Sequence, residues 1–317
     1  MKAKLPKSIF RYRSVTAETI ELICEDKIYY ADPTKYNDPF DCKPAIEFDT
    51  NLQDMRVLLS KLIERRVSNE IMFQLSNSEI KGKNAESYAR KTASQKAEAE
   101  LANIAYYAKD PDLGSNPEDS EIFLLTQKIQ SEILKKYDRG LCCFSSTVID
   151  PVLWSHYGDE HKGICLGYGF SRKPEPNIQK IEYNRTRKIP TSLVQEALVE
   201  NNIQSRNLLD SRVYFRKANS WKYEKEWRII GNKGLQNSPL ELKDVTFGLR
   251  CPNAIVYAIV SSLEARPNKI DFYEIYNTTG SFNLKRRKVD VDELKRIYPA
   301  VAQSTEEILE GLPDLPE

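Results

Sequence analysis

Residues 221–230 read WKYEKEWRII, and the reading of the fold turns on them. Side chains alternate along a strand, so Tyr223, Lys225, Trp227 and Ile229 are expected on one face and Glu224, Glu226, Arg228 and Ile230 on the other. Two carboxylates and a guanidinium in a row, just after the Trp221–Tyr223 aromatic pair, are costly to bury unless they pair or meet a ligand. The stretch therefore predicts a strand carrying a polar site, and it points to an enzyme. On such a strand the two carboxylates stand roughly 6–7 Å apart, from the rise per residue. That separation lets one act on a leaving or cationic centre while the other receives a proton. The competing reading is an exposed strand with Glu–Arg cross-strand pairing, worth little energetically.

Outward from this segment, the chain has 317 residues, enough for one sizeable core or a core with a large insertion. Lys and Arg number 47 against 46 Asp and Glu, a balance that argues against a generally basic nucleic-acid surface. Hydrophobic content of 40% with 29% charged residues suits a globular protein rather than a disordered one. The opening residues, MKAKLPKSIFRYRS, lack the apolar run of a signal peptide, and no later stretch reads as a membrane span, so a cytoplasmic protein without membrane contact is expected. Six cysteines (24, 42, 142, 143, 165 and 251) form no CxxC pair and only two histidines are present, so free thiols are expected and no metal site.

Elements follow from pattern. A short strand in IFRYRS, a helix over Ala17–Cys24 and a strand over Lys27–Ala31 lead into the turn-rich loop ADPTKYNDPFDCKP, with three prolines and Asn-Asp-Pro punctuation. Residues 50–138 turn to charged, helix-forming sequence. Leu58, Leu59, Leu62 and Ile63 mark one amphipathic helix, Ala97–Tyr107 a second and Ile122–Tyr137 a third, with Asp119 or Ser120 as cap of the last. This block reads as a lid, a specificity module or a partner-binding surface. Strands are expected in GLCCFSS, in GICLGYGF, near Tyr214–Phe215, at Trp227–Ile230, and in AIVYAIVS, DFYEIYN and FNLKRRKV. A helix over Val291–Tyr298 and a polar, acidic tail close the chain. The expected architecture is α+β: a single domain over 1–317 around one mixed, largely antiparallel sheet, with a helical insertion at 50–138.

Two further clusters carry chemistry. In FRYRS, Arg11 and Arg13 share one strand face and Tyr12 takes the other; an arginine fork at a strand end suits phosphate, and an edge-strand charge that deters aggregation is the plainer reading. In FSSTVIDPVLWSHYGDEHKG, Ser145, Ser146 and Thr147 follow an apolar strand, and Trp154, His156 and Tyr157 fall in a turn or short helix. No GxSxG elbow surrounds the serines, and the spacing of His156 and His161 does not make a helical HxxxH face. Neither GxGxxG nor GxxxxGK[ST] occurs, which disfavours dinucleotide-fold dehydrogenases and P-loop ATPases.

The order FRYRS, IYYADPTKYNDPFDC, GLCCFSS, DPVLWSHYGDEHKGICLGY, WKYEKEWRII and Phe247-Gly248 resembles the bacterial domain of unknown function 2971 family. A motif-level resemblance also connects Arg11, FSST and Glu224-x-Glu226 to the R-S-ExE pattern of ADP-ribosyltransferases. That second resemblance implies NAD as substrate, Arg11 on its phosphate or ribose, and Ser145 supporting the strand beside the nicotinamide. It implies Glu226 on the nicotinamide ribose, where positive charge develops in the transition state, and Glu224 orienting or deprotonating the acceptor. Tyr30, Phe40, Trp154 or Tyr157 would stack on the nicotinamide, with Tyr12, Asn37, Asp38, His156 and Arg228 as further nucleotide contacts. The implied activity is ADP-ribosyl transfer or NAD glycohydrolysis, in a bacterial toxin or anti-phage effector, on an acceptor that is protein, nucleic acid or another molecule. The rival readings are a hydrolase or nuclease using His156 with Asp38, Asp159 or the glutamates, and a non-catalytic nucleotide-binding module.

Overall fold

The computed structural model describes residues 4–78, 82–184 and 186–302. The acidic tail expected after the last helix falls beyond them. The strands are β1 (Ile9–Arg13), β2 (Lys27–Tyr30), β3 (Ala45–Glu47), β4 (Gly140–Ser145), β5 (Ile164–Gly169), β6 (Ile178–Lys180), β7 (Glu182–Asn184), β8 (Lys188–Pro190), β9 (Arg216–Ala218), β10 (Glu226–Gly231), β11 (Gly234–Asn237), β12 (Glu241–Phe247), β13 (Asp271–Asn277) and β14 (Leu284–Lys288). The helices are α1 (Ala17–Cys24), α2 (Leu52–Asn77), α3 (Lys83–Tyr107), α4 (Pro117–Lys136), α5 (Pro151–Tyr157), α6 (Thr191–Leu198), α7 (Ile203–Tyr214), α8 (Asn253–Leu263) and α9 (Val291–Ile297).

One eight-stranded sheet runs β14-β13-β12-β5-β1-β4-β10-β6. Every pairing in it is antiparallel except β12 with β13. This is the mixed, largely antiparallel α+β sheet that the strand pattern predicts. Alternation sorts its central residues onto two faces. Ile9, Cys142, Phe144, Trp227 and Ile229 point into a core that also takes Val256, Ile259, Val260 and Leu263 of α8. The other face carries Phe10, Tyr12, Leu141, Cys143, Ser145, Glu226 and Arg228, as the registers Phe10–Ser145 and Glu226–Ser145 require. Helices α2, α4, α6 and α7 cover part of it through Leu59, Ile129, Val194 and Val213. Elsewhere α5 covers it, through Leu153 and Trp154.

The helical block packs as a hairpin of long helices closed by α4. Ala85, Ala89, Ala93 and Ala97, four apart on α3, are buried, and small side chains at that spacing let α3 lie close against α2. Among the described residues no helix is long and apolar enough to cross a membrane.

The structure departs from the sequence expectations at four places. AIVYAIVS is helical within α8, not a strand: Val256, Ile259, Val260 and Leu263 recur at the helical period and are the residues buried. Tyr214 ends α7, and the strand lies two residues later at Arg216–Ala218. The last long helix is capped by Asn116, whose side chain accepts from Glu118 N with Pro117 at N1, rather than by Asp119 or Ser120. The decisive stretch is half a strand. Asn219–Glu224 forms a 3-10 helix, Lys225 turns the chain through a left-handed conformation (φ 49°), and β10 starts at Glu226.

Candidate active site

The site lies where β1 and β4 part. They share one bridge pair, Phe10 with Ser145. Beyond it β1 pairs with β5 alone, while Gly140–Phe144 pairs with β10. At its far end β4 is held by Ala31, which exchanges hydrogen bonds of 2.8 and 2.9 Å with Leu141. The gap between these two closures opens into a cleft of about 230 Å³. Its walls bring together the three segments whose order is distinctive in the sequence: Tyr36, Asn37 and Asp41 from the NDPF loop, Leu153 and Tyr157 from LWSHY, and Glu224, Glu226 and Arg228 from YEKEWR.

Arg228 organises the floor and is fully buried. All five N–H groups of a guanidinium are needed to satisfy it there. Nε donates to Glu226 Oε1 at 2.6 Å. Nη1 donates to Asp41 Oδ1 and to the Tyr214 carbonyl, both at 2.9 Å. Nη2 donates to Asp41 Oδ2 at 2.6 Å and to Glu226 Oε2 at 3.1 Å. Lys217, on β9, adds the second cation. Its Nζ donates to Glu224 Oε2 at 2.6 Å and Glu226 Oε2 at 3.2 Å, stands 3.6 Å from Asp41 Oδ2, and lies 4.8 Å from the centroid of the Trp221 ring. Tyr157 completes the arrangement by donating its phenol proton to Glu224 Oε1 at 2.7 Å.

The two glutamates differ in their surroundings. Burial works against the Glu226 carboxylate, but Arg228 and then Lys217 outweigh it and hold its pKa below the ordinary value. For Glu224 burial wins: it raises the pKa, helped by the neighbouring Glu226 charge, although Lys217 pulls the other way. Glu226 is thus held as an anion by its two cations, while burial and the Glu226 charge raise the proton affinity of Glu224. Three carboxylates (Asp41, Glu224, Glu226) face two cations (Lys217, Arg228), so the ionised cluster carries one negative charge in excess.

Ser145 fixes this geometry from behind. Its Oγ donates to the Glu224 carbonyl at 2.6 Å and accepts from Thr147 N at 3.1 Å, so the turn at 224–226 is tied to the end of β4. Tyr183 accepts from Glu226 N at 2.8 Å through its hydroxyl.

The remaining residues singled out from sequence fall elsewhere. Arg11 borders the cleft, but alternation turns its side chain to the opposite face from Glu226, where it donates to Cys142 Sγ and, at 3.0 Å, to the Tyr29 carbonyl. Tyr12 lines the cleft with its phenol committed to the Thr147 carbonyl at 2.9 Å. Tyr30 is buried on the far face over Gly231, where a Cβ would stand 2.5 Å from its ring, so it has no free face for stacking. Trp154 is buried under Tyr12, its indole N–H given to the Val148 carbonyl at 2.8 Å. Asp38 caps its own turn by accepting from Phe40 N at 2.9 Å, and Phe40 is 60% exposed beneath the Arg187 guanidinium. His156 lies on the exposed side of α5 and does not line the cleft. Of the aromatics considered for stacking, Tyr157 alone reaches the cleft.

Asp41, Lys217 and Tyr36 are the residues that sequence reasoning missed. Asp41 was legible as the second acid of NDPFD, but nothing local distinguishes Lys217 within FRKAN. Among the described residues no group of three or more His, Cys, Asp or Glu is placed to hold a metal ion.

No curated protein and no solved structure matches the chain. A family model described as "Protein of unknown function (DUF2971)" matches residues 153–229, so the family resemblance rests on the stretch that runs from α5 into β10 and supplies Tyr157, Lys217, Glu224, Glu226 and Arg228 to one cleft.

Proposed function

We propose that the cleft binds NAD as a substrate and breaks its nicotinamide–ribose bond, passing ADP-ribose to an acceptor or to water. The observation that carries this reading is the surplus negative charge of the Asp41–Glu224–Glu226–Lys217–Arg228 cluster on the wall of a cleft. Cleaving a glycosidic bond develops positive charge on the ribose, and a pre-placed anion stabilises that transition state more than the ground state. Nothing needs to reorganise, because Arg228 and Lys217 already hold Glu226 in place.

In this reading Glu224 meets the reacting ribose or the acceptor. Its two oxygens accept one hydrogen bond each, from Tyr157 and Lys217, and a carboxylate oxygen has capacity for a second, which a ligand would use. Glu226 supplies the fixed charge behind it. A cleft of about 230 Å³ is below the usual ligand-site range of roughly 300–1,000 Å³. It suits the nicotinamide riboside end, with the remainder of the dinucleotide extending out of it.

Purified protein incubated with NAD is expected to release nicotinamide, followed by chromatography. Glu224→Gln is expected to abolish release while the protein stays folded; release that persists in this variant would sink the mechanism. A non-catalytic nucleotide-binding module is the second reading, favoured by the saturation of Arg228 within the protein. It predicts NAD binding with no nicotinamide release, alone or with cell lysate as a source of acceptors.

A further inference from the structure

Of the LWSHY segment, the proposed reaction uses a single hydrogen bond, from Tyr157 to Glu224. The two partners of that bond are rooted on opposite sides of the cleft. Tyr157 ends α5, which rests on β1: Leu153 and Trp154 share a core with Phe10 and Tyr12, and the Trp154 and Tyr12 rings meet edge to face at 5.1 Å. Glu224 is fixed from the β4 side, by Ser145 on its carbonyl and by Lys217 on Oε2. The 2.7 Å bond across the cleft is therefore a product of how the two sides are held. A phenol has one proton and spends it in one direction. The Asn37 amide, on the wall of the same cleft, faces the Tyr157 oxygen and donates to it. The hydroxyl thus accepts from Asn37 and gives its proton to Glu224.

We propose that Asn37 and Tyr157 are a positioning pair for Glu224: Asn37 holds the Tyr157 hydroxyl in the rotamer that donates to Oε1, and that bond fixes the plane of the carboxylate that meets the ligand. The inference rests on the reading of Glu224 given above and assigns two residues that act through it. Without the pair Glu224 keeps one donor, Lys217, which it shares with Glu226. A hydrogen bond to the charged form of an acid lowers its proton affinity, so the pair opposes the burial and the Glu226 charge that raise it. The other titratable groups around the bond are Lys217 from β9, Glu226 from β10, Tyr183 from β7, Tyr223 from the 3-10 turn and His156 beside Tyr157 on α5. All of them are kept in the variants that test the pair.

The test is an infrared pH titration of the full chain, reading the carboxylic acid carbonyl band that Glu224→Gln lacks. In Tyr157→Phe the midpoint of that band is expected to move up by about one pH unit or more, the size of one hydrogen bond to a charged group. Asn37→Ala is expected to move it the same way in the wild type and no further in Tyr157→Phe, because Asn37 acts through the phenol. Asn37→Ser takes its place if the alanine variant does not melt cooperatively. An unmoved midpoint in Tyr157→Phe, or shifts from the two residues that simply add, would overturn the pair. Where nicotinamide is released, the acid limb of its pH profile is expected to move up with the infrared midpoint in Tyr157→Phe. The two proposals fail separately. A midpoint that moves without any release removes the NAD chemistry and keeps the pair; release with acid limb and midpoint both unmoved in Tyr157→Phe does the reverse.

Discussion

Arg228 has no exposed surface and spends every N–H on Asp41, Glu226 and the Tyr214 carbonyl. Truncating one partner of a buried ion cluster costs far more than the cluster contributes, because the remaining charges stay buried. Arg228→Met is therefore expected to destabilise the protein by about 3–5 kcal/mol in urea unfolding. The comparable change at exposed Arg90 is expected to leave the midpoint unchanged. A loss near zero for Arg228→Met would mean that Asp41 and Glu226 escape to water when the cation goes. At this scale the sequence was informative about residue types and poor about partners. That Glu224, Glu226 and Arg228 share an environment was legible from spacing, although the strand assumed for Glu224 is a 3-10 turn. That Lys217 and Asp41 complete the set was not, since both come from segments brought there by the fold.

The element that decides the site is the turn from the 3-10 helix into β10. Lys225 adopts φ 49°, a region that costs a side chain of this kind, and a β-branched one more. The Lys225 carbonyl accepts from Ser146 N at 3.2 Å, while Ser145 Oγ holds the Glu224 carbonyl, so the turn is tied down by two successive residues at the end of β4 and just beyond it. Lys225→Val is expected to lower thermal stability by about 1–2 kcal/mol. Lys225→Gly is expected to match or exceed the wild type, since glycine enters this region freely. A calorimetric scan in which valine is tolerated as well as glycine would mean that the turn is not strained. AIVYAIVS has the β-branched residues of a strand, but its length and the period of its buried positions make it a helix once a sheet face is present to receive it.

For the whole molecule, the helical block at 50–138 reads in sequence as an insertion, and its helices do run on as one segment. Its packing is another matter. Met55, Leu58, Leu59, Ile129 and Ile133 share one core with Leu141 of the sheet and with Ile189, Val194, Leu209 and Val213 from beyond it. Excising residues 51–137 behind a short linker is therefore expected to expose apolar surface and abolish cooperative unfolding, read by binding of a hydrophobic dye and by thermal scans. A shortened chain that still unfolds cooperatively would show that the sheet completes a core without the block. The sheet itself was predictable in class from its alternating segments, while the long-range order of its strands is set by pairings that no local pattern encodes.

The solitary Phe10–Ser145 bridge has a mechanical consequence. In engineering terms the eight strands are two stiff boards, one of five strands from β14 to β1 and one of three from β4 to β6, hinged along a spine one residue pair long. Each board is braced internally by ladders of several residue pairs, so bending is expected to concentrate at the spine. Any molecule wedged beside that spine would act with the leverage of both boards, and its presence would be expected to read out as a change in the angle between them.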